Sequence, residues 1–175
     1  GQLLLLMLTE QLIKLNCEII QINTDGVFFK CKKDIYPKVQ KQFEWWQNLT
    51  GLVLEEDRFK AFYQLAINDY FGGYENGKRK EKGCFITDVI LGKGLTPKII
   101  PKAVIKYFLE GVKPEEYIKS CTDIKDFLMS EKTGKQWHVE YNNEPQQRTN
   151  RFYASTNGYF LYKWKMDKGE KKYQN

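Results

Sequence analysis

Histidine and closely spaced cysteine are scarce in this chain of 175 residues. It contains one histidine, His138, and four cysteines that lie far apart without a C-x-x-C pair: Cys17, Cys31, Cys84 and Cys121. Zinc clusters are built from such side chains at short, regular spacing. The sequence therefore argues against a zinc cluster and favours buried, reduced thiols in a cytosolic protein. Because no nucleophile or paired acid lies nearby in the sequence, His138 is interpreted as a structural residue.

Long hydrophobic runs are also lacking. The stretch from Leu3 to Leu8 is too short to span a bilayer, and it lacks the basic flank and cleavage site of a signal peptide. The sequence therefore predicts a cytoplasmic chain without a membrane partner. Thirteen glycines and five prolines are too few for a collagen-like or low-complexity chain, and 42% hydrophobic with 29% charged residues indicates a folded domain.

Several common catalytic fingerprints are absent as well, namely G-x-S-x-G, the P-loop and the dinucleotide-binding G-x-G-x-x-G. What the chain does have is a net charge of +6 and an aromatic content of 15%. A basic balance permits a polyanionic partner, and aromatic residues suit β-hairpins and stacking surfaces. Composition alone does not choose between these uses.

The first fifty residues predict a helix, a hairpin and a second helix. Leucines at three- and four-residue spacing predict a helix over 2–15. Two β-prone runs flank the turn residues 23–26 and predict a hairpin. The second helix is expected to be capped by Asp34 and ended by Gly51.

An antiparallel sheet is predicted next. A strand-like segment over 52–68 precedes a hairpin with Asn76-Gly77 at its tip, between 70–74 and 78–86. The expected fold class is therefore α+β, with an antiparallel sheet and backing helices followed by a mainly helical part with a terminal β-hairpin.

A subdomain boundary is predicted near residue 93, which gives domains 1–93 and 94–175. Proline and capping signals after it predict three helices, the third capped by Thr122. Asn157-Gly158 predicts the terminal hairpin, and the polar tail from Lys165 onward is expected to fray.

Asp25 is the first candidate for chemistry. It lies at the tip of a tight hairpin, where an anchored carboxylate is well placed to ligate Mg²⁺ together with substrate phosphates. An Asp-Gly turn is also an ordinary structural device. Both interpretations stay open on these residues alone.

A basic cluster follows the Asn76-Gly77 turn, interrupted by the acidic Glu81: Lys78, Arg79, Lys80 and Lys82. Cations on a rigid ribbon can neutralise phosphates, and glycines nearby allow close backbone approach. A solvated strand edge protected by lysines against aggregation would carry the same residues. The cluster thus predicts either a nucleic-acid contact or a protected edge.

The order of these parts resembles the palm and thumb of a family B DNA polymerase of the phage and virus branch. The turn Asn23-Thr24-Asp25-Gly26 is similar to the motif written D-T-D-S, Asn68-Asp69-Tyr70 to the K-x-Y motif, and the segment 80–83 to the K-x-K-G stretch. In the thumb, the similarity extends to 97–103 and 151–155. The resemblance covers almost the whole chain.

The resemblance implies template-directed nucleotidyl transfer with two Mg²⁺ ions, primer-template DNA and deoxynucleoside triphosphates. Asp25 would ligate the metal ions within a catalytic motif that includes Thr24, and Tyr70 would touch the primer terminus. The duplex would be held through its phosphates by Lys78, Arg79, Lys80, Lys82, Gly83 and Arg151.

The chain departs from the family pattern at several positions. Asn23 stands where the family has an aspartate, Gly26 where it has a serine, and Asn68 where it has the lysine of K-x-Y. The family's other catalytic aspartate, fingers and proofreading exonuclease would precede Gly1. We therefore expect a fragment that is inactive alone and active with the missing upstream part of the same polypeptide, in the host cytoplasm if phage-encoded.

Two alternatives stay open. A non-enzymatic duplex-DNA-binding module would use Asp25 only as a turn residue. Another palm-type nucleotidyltransferase, such as a reverse transcriptase, would also carry aspartates on a hairpin, but it would accept RNA as template.

Overall fold

The chain folds into two compact units in a computed structural model that describes residues 1–89 and 94–174. The first unit spans Gly1–Lys78 and the second spans Arg79–Asn175. Both contain helices and antiparallel strands, so the predicted α+β class is confirmed. The boundary that the sequence predicts near residue 93 lies outside the described residues.

The first unit begins with two helices around a two-stranded ladder. These elements are α1 (Gln2–Lys14), β1 (Glu18–Ile22), β2 (Val27–Lys30) and α2 (Tyr36–Thr50). The apolar spacing of the helices brings one face of each into a shared core, whose buried members are Leu8, Leu12, Cys17, Val39 and Trp46. The predicted order of helix, hairpin and helix is confirmed.

The ends of α2 show which helix signals hold. Gly51 ends the helix in the left-handed region at φ 70°, where glycine carries no Cβ penalty. The sequence predicts Asp34 as the cap at the start, but the N-cap is Ile35, whose backbone is already helical. The capping prediction is therefore wrong. Trp46 Nε1 donates to the Leu4 carbonyl at 2.7 Å and ties α2 to α1.

A second antiparallel ladder completes the first unit, formed by β3 (Phe59–Ala66) and β4 (Asp69–Tyr74). The strand signal over 52–68 therefore begins too early, since the charged segment before Phe59 is irregular. Gly72 lies where the Phe59 ring crosses the ladder, and a Cβ there would come within 2.5 Å of Phe59 Cδ1. The glycine is thus required by the packing of Phe59.

The Asn76-Gly77 turn forms as predicted. Gly77 has a φ of 80°, and Tyr74 N donates to the Lys78 carbonyl at 2.8 Å. The Asn76 side chain accepts a bond from Lys78 N at 3.0 Å. The second unit then opens with β5 (Arg79–Lys82) and a short 3-10 helix over Gly83–Phe85.

The helical part of the second unit contains α3 (Ile99–Glu110), α4 (Pro114–Ser120) and a 3-10 turn over Ile124–Phe127. The third predicted helix is thus a single 3-10 turn, and its cap is Asp123 rather than Thr122 because Asp123 accepts from Lys125 N. Within the described residues, no helix combines the length and the apolar character that crossing a membrane would require.

The second unit ends in two antiparallel sheets. One pairs β6 (Met129–Lys132) with β9 (Thr149–Phe152). The other, here called the terminal sheet, consists of β7 (His138–Tyr141), β8 (Glu144–Gln146), β10 (Leu161–Asp167) and β11 (Glu170–Gln174). Its strand order is β11-β10-β7-β8.

Three predictions about this region are wrong. The part after residue 93 is not mainly helical, since more of its described residues lie in strands than in helices. The strands on either side of Asn157-Gly158 belong to different sheets, since the intervening segment 153–160 is too long for a tight turn. The tail is a paired strand rather than a frayed end. Lys168 and Gly169 adopt φ values of 51° and 88°, and this turn returns β11 along β10.

Candidate functional site: the Asp25 hairpin

The tip of the Asp25 hairpin, which comprises β1, residues 23–26 and β2, is closed by a side chain. Asn23 Oδ1 accepts bonds from Asp25 N at 2.9 Å and from Gly26 N at 2.7 Å, and Asn23 N donates to the Gly26 carbonyl at 3.0 Å. Such a side-chain turn fixes the backbone without regular strand pairing. Asn23, one of the positions that differ from the polymerase motif, is therefore the residue that shapes the turn.

Asp25 is presented to solvent by this turn. Its carboxylate is exposed, and Thr24 Oγ1 donates to Asp25 Oδ2 at 3.0 Å. The hydroxyl orients the carboxylate on a backbone already set by Asn23. Both members of the catalytic pair predicted from the sequence, Thr24 and Asp25, thus lie together at the tip.

Contacts of the buried Gln21 anchor the hairpin to the β3–β4 ladder. Gln21 is 7% exposed, and its Nε2 donates to the Ile67 carbonyl at 3.2 Å. Gln64 Nε2 donates to Gln21 Oε1. A buried amide is stable only when its polar atoms are bonded, so this pair sets the position of β1 on the ladder. Sequence reasoning missed it, although a glutamine between isoleucines in an apolar strand is a signal for it.

An aromatic cluster forms the second anchor. The Phe28 ring of β2 lies 5.0 Å from Phe62, 5.6 Å from Tyr70 and 6.4 Å from Phe59. Aromatic pairs at these separations stabilise beyond their buried area. Tyr70, the predicted primer contact, is 3% exposed and packs against Phe62 at 5.2 Å. The structure therefore places Tyr70 behind the hairpin, and its contact with a primer stays a prediction.

A shallow depression of about 540 Å³ lies elsewhere on the first unit, lined by Glu56, Asp57, Arg58, Tyr74, Asn76 and Lys78. Arg58 Nε pairs with Glu56 at 2.5 Å, and the Tyr36 hydroxyl donates to the same carboxylate at 2.6 and 2.7 Å. Arg58 also covers the Tyr36 ring at 4.4 Å. The sequence does not indicate this trio, because Tyr36 lies 20 residues before Glu56.

The trio fixes the charge of Glu56. Burial raises the pKa of Glu56, but hydrogen bonds from Arg58 and Tyr36 outweigh it and hold the pKa below its usual value. Burial and the bond to Glu56 together raise the pKa of Tyr36. The depression therefore combines a firmly ionised acid with the cations Arg58 and Lys78.

The basic cluster after the turn is partly engaged within the chain. Arg79 Nε pairs with Glu81 Oε1 at 2.5 Å, and Glu81 Oε2 accepts from Thr87 N at 2.6 Å and Thr87 Oγ1 at 2.7 Å. This arrangement holds Glu81 between two partners on one strand and the segment after it. Phosphate binding by Arg79 would thus have to share the guanidinium with Glu81.

The other predicted DNA contacts lie on the surface of their units. Lys78, Lys80 and Lys82 are exposed, and Gly83 is exposed with a φ of 66°. Arg151 is exposed on β9 opposite Ser130. Their roles toward DNA stay predictions.

The donor set at the hairpin suits part of a magnesium site. Among the described residues, no group of three or more His, Cys, Asp or Glu side chains is placed to hold a metal ion. Mg²⁺ is commonly bound by one or two carboxylates with substrate phosphates and water. Asp25 fits one such ligand position, and the remaining ligands would come from elsewhere.

Comparison with known proteins adds no family to this picture. The chain matches no model of a known protein family, and no curated protein sequence matches it. The resemblance to family B DNA polymerases therefore rests on the motifs themselves.

Proposed function

We propose that this chain is a palm and thumb portion of a DNA-directed DNA polymerase, with Asp25 as one of its metal-binding carboxylates. The observation that supports the proposal most strongly is the structure of the hairpin tip. The backbone N–H of an exposed aspartate donates to the Asn23 side chain, on a hairpin anchored through Gln21 and Phe28. Such a rigid, accessible carboxylate is what metal-assisted phosphoryl chemistry requires.

When bound, two Mg²⁺ ions would activate the primer 3′ oxygen and stabilise the leaving pyrophosphate. The chain's own residues do the positioning. Asp25 supplies one carboxylate ligand, and Thr24 orients it through the bond to Oδ2. Asn23 holds both residues in the turn, so its contribution is to position the ligand rather than to contact the substrate.

Exposed cations would bind the primer-template duplex through its phosphates. Lys78, Lys80 and Lys82 are the accessible members of the basic cluster, and Arg151 adds a cation in the second unit. Phosphate contacts of this kind carry no sequence preference, which suits a polymerase. The net charge of +6 supports the same partner.

The test is primer extension on a DNA template by the complete product of the gene. Asp25→Asn keeps the size of the side chain but removes the charge, so we expect extension to fall by at least about a thousandfold. Asp34→Asn is the matched control, because Asp34 is also an exposed aspartate of the first unit but lies outside the hairpin. Its extension rate should equal that of the unchanged protein.

The same experiment separates the alternatives. A DNA-binding module without polymerase activity predicts no extension by the unchanged protein and unaltered DNA binding by Asp25→Asn. A reverse transcriptase predicts comparable extension on an RNA template. Loss of extension confined to Asp25→Asn, on DNA templates only, supports the proposal, and either other pattern overturns it.

A further inference from the structure

One face of the terminal sheet carries several aromatic rings. Side chains alternate along a strand, so Tyr162 and Trp164 share a face of β10. The strand register places His138 and Tyr173 directly opposite Trp164, one on each neighbouring strand. Together with Phe160, these residues form what is here called the aromatic stripe.

The rings of the stripe form two groups, within each of which neighbouring rings contact one another. Phe160 lies 6.1 Å from Tyr162, and Tyr162 lies 6.0 Å from Tyr173. His138 stacks on Trp164 with ring centroids 4.3 Å apart and planes 19° apart. The stripe is therefore a preformed surface, in which neighbouring rings restrict one another.

Most of this apolar area faces solvent. Phe160 is 77% exposed, Tyr162 50% and Tyr173 48%. Scattered exposed aromatic residues are ordinary, but a contiguous patch of them marks an interaction surface. The stripe is thus a surface suited to a partner that covers aromatic faces.

The surroundings of the stripe are basic. Lys171 Nζ lies 4.2 Å from the centre of the Trp164 ring and pairs with Glu140 at 3.2 Å. Lys171 lies on the same face as Trp164, because it is opposite Met166 in the strand register, and Lys168 lies in the turn between β10 and β11. The other lysines of these two strands, Lys163, Lys165 and Lys172, alternate onto the opposite face. Surface ion pairs are weak and can be exchanged for phosphate contacts. Lys171 and Lys168 therefore supply positive charge beside the rings, which complements a polyanion.

A pocket of about 260 Å³ adjoins the stripe, where Trp164 and His138 line it together with Lys135 and Arg148. In the part of the chain that the structure describes, Trp164 Nε1 is a buried donor without a hydrogen-bond partner. A buried N–H of this kind calls for an acceptor. Glu140 also lines the pocket, but it pairs with Lys171, and two cations face one carboxylate there. This lining, together with the indole donor, favours a ligand that combines negative charge with acceptor oxygens.

We propose that the aromatic stripe binds single-stranded nucleic acid, with unpaired bases stacked on the rings and phosphates near the lysines. Aromatic side chains on an antiparallel sheet stack unpaired bases in this way, and backbone phosphates take the cations. A duplex hides its base faces and offers the rings nothing to stack on. The proposal does not depend on polymerase activity, because none of its residues belongs to the Asp25 hairpin.

The test measures fluorescence anisotropy of a fluorescein-labelled oligothymidylate of fifteen nucleotides with the 175-residue chain. The double variant Tyr162→Ala/Tyr173→Ala removes two stripe rings, and we expect its affinity to fall by about tenfold or more. Tyr153→Ala is the matched control, since Tyr153 is 52% exposed in the same unit but lies outside the sheet. Its affinity should equal that of the unchanged chain.

Two further measurements keep the result interpretable if the double variant folds poorly. Phe160→Ala alters a stripe ring outside the strands and should also weaken oligothymidylate binding. Oligothymidylate should quench indole fluorescence of the unchanged chain, and Trp164→Phe should lose most of that quenching. Binding to a fifteen-base-pair duplex should stay unchanged in all stripe variants.

Several outcomes would overturn the proposal. Unaltered oligothymidylate affinity in both Tyr162→Ala/Tyr173→Ala and Phe160→Ala would do so, and so would an equal loss of duplex binding. If light scattering shows a dimer that the stripe variants dissociate while nucleic-acid binding is unchanged, the stripe is covered by a second copy of the chain instead.

Discussion

Two aspartates, one in each unit, show how surroundings decide what a carboxylate does. Asp25 is exposed at a hairpin tip, where Thr24 Oγ1 donates to it at 3.0 Å. Asp126 is 4% exposed and accepts bonds from Lys102 Nζ at 2.7 Å through both oxygens, with Lys98 Nζ at 3.9 Å. The first carboxylate is accessible to a ligand, whereas the second is satisfied by the protein.

The two sites differ in which group accepts the stabilising hydrogen bonds. At Asp25, the Asn23 side chain accepts bonds from the backbone of the turn. The turn is therefore fixed without using the Asp25 carboxylate as an acceptor for Asn23. At Asp126, the carboxylate itself accepts the bonds that join it to α3. We therefore expect the Asp25 carboxylate to affect activity and to have little effect on stability. We expect the reverse for the Asp126 carboxylate.

The largest expected effect comes from neutralising the buried carboxylate. Asp126→Asn leaves Lys98 and Lys102 partly buried without their counter-charge, and we expect the free energy of unfolding to fall by about 3–5 kcal/mol. Asp25→Asn removes an exposed charge and should change it by less than about 0.5 kcal/mol. Denaturant unfolding of the two variants, followed by circular dichroism, measures both values. Equal losses in the two variants would end the distinction between these sites.

Protonation of Asp126 in acid should also lower the free energy of unfolding. Burial raises the pKa of Asp126, but the bond from Lys102 outweighs it and leaves the pKa below its usual value. The folded state therefore holds this proton less tightly than the unfolded state. The stabilisation is complete above the unfolded pKa of about 3.9 and is lost as pH falls through the lower folded value.

Unfolding curves taken between about pH 6 and pH 2 check this expectation. The unchanged chain should lose stability on acidification, and Asp126→Asn should lose less because the titrating group is gone. Glu56 also has a lowered pKa, so some acid response must remain in Asp126→Asn. Identical acid responses in the two proteins would show that Asp126 contributes nothing to the pH dependence.

The turn at Asp25 can be loosened without touching the carboxylate. Asn23→Ala removes the acceptor for Asp25 N and Gly26 N, and we expect a loss of about 1 kcal/mol in stability. Primer extension by the complete gene product should fall as well, because Asp25 would no longer be held in one position. Asn23→Asp retains an acceptor oxygen and is the matched control.

Stability and primer extension should both be lower in Asn23→Ala than in Asn23→Asp. Asn23→Asp should keep both close to those of the unchanged protein. If Asn23→Ala lowers stability yet leaves extension intact, the Asn23 bonds serve only the hairpin and do not position a reacting group.

The sequence predicts the local elements of this fold better than their partners. Turn signals such as Asn76-Gly77 and Gly51 are local, because they depend on backbone angles that few residues adopt. The hairpin predicted around Asn157-Gly158 fails because each flanking strand finds a partner far away in sequence. Strand pairing depends on such distant contacts, and a turn signal carries no information about them.

The candidate site divides along the same line. Asp25 was identified because its turn is a contiguous motif. Gln21 and Gln64, which anchor that turn, lie 43 residues apart and gain meaning only when the strands meet. Tyr70 was identified by its motif as a primer contact, but its burial follows from Phe28 and Phe62, which the motif does not include.

The smallest expected effect concerns Glu56, a carboxylate whose surroundings are intermediate between those of Asp25 and Asp126. Glu56 is exposed like Asp25, yet Arg58 and Tyr36 bond it from within the chain, much as lysine bonds Asp126. Tyr36→Phe removes one of these donors, so the pKa of Glu56 should rise toward its usual value. Stability should change by less than about 0.5 kcal/mol, because the site lies at the surface. Titration of the Glu56 carboxyl by carbon-detected NMR measures the pKa, and an unchanged pKa would mean that Arg58 alone keeps Glu56 ionised.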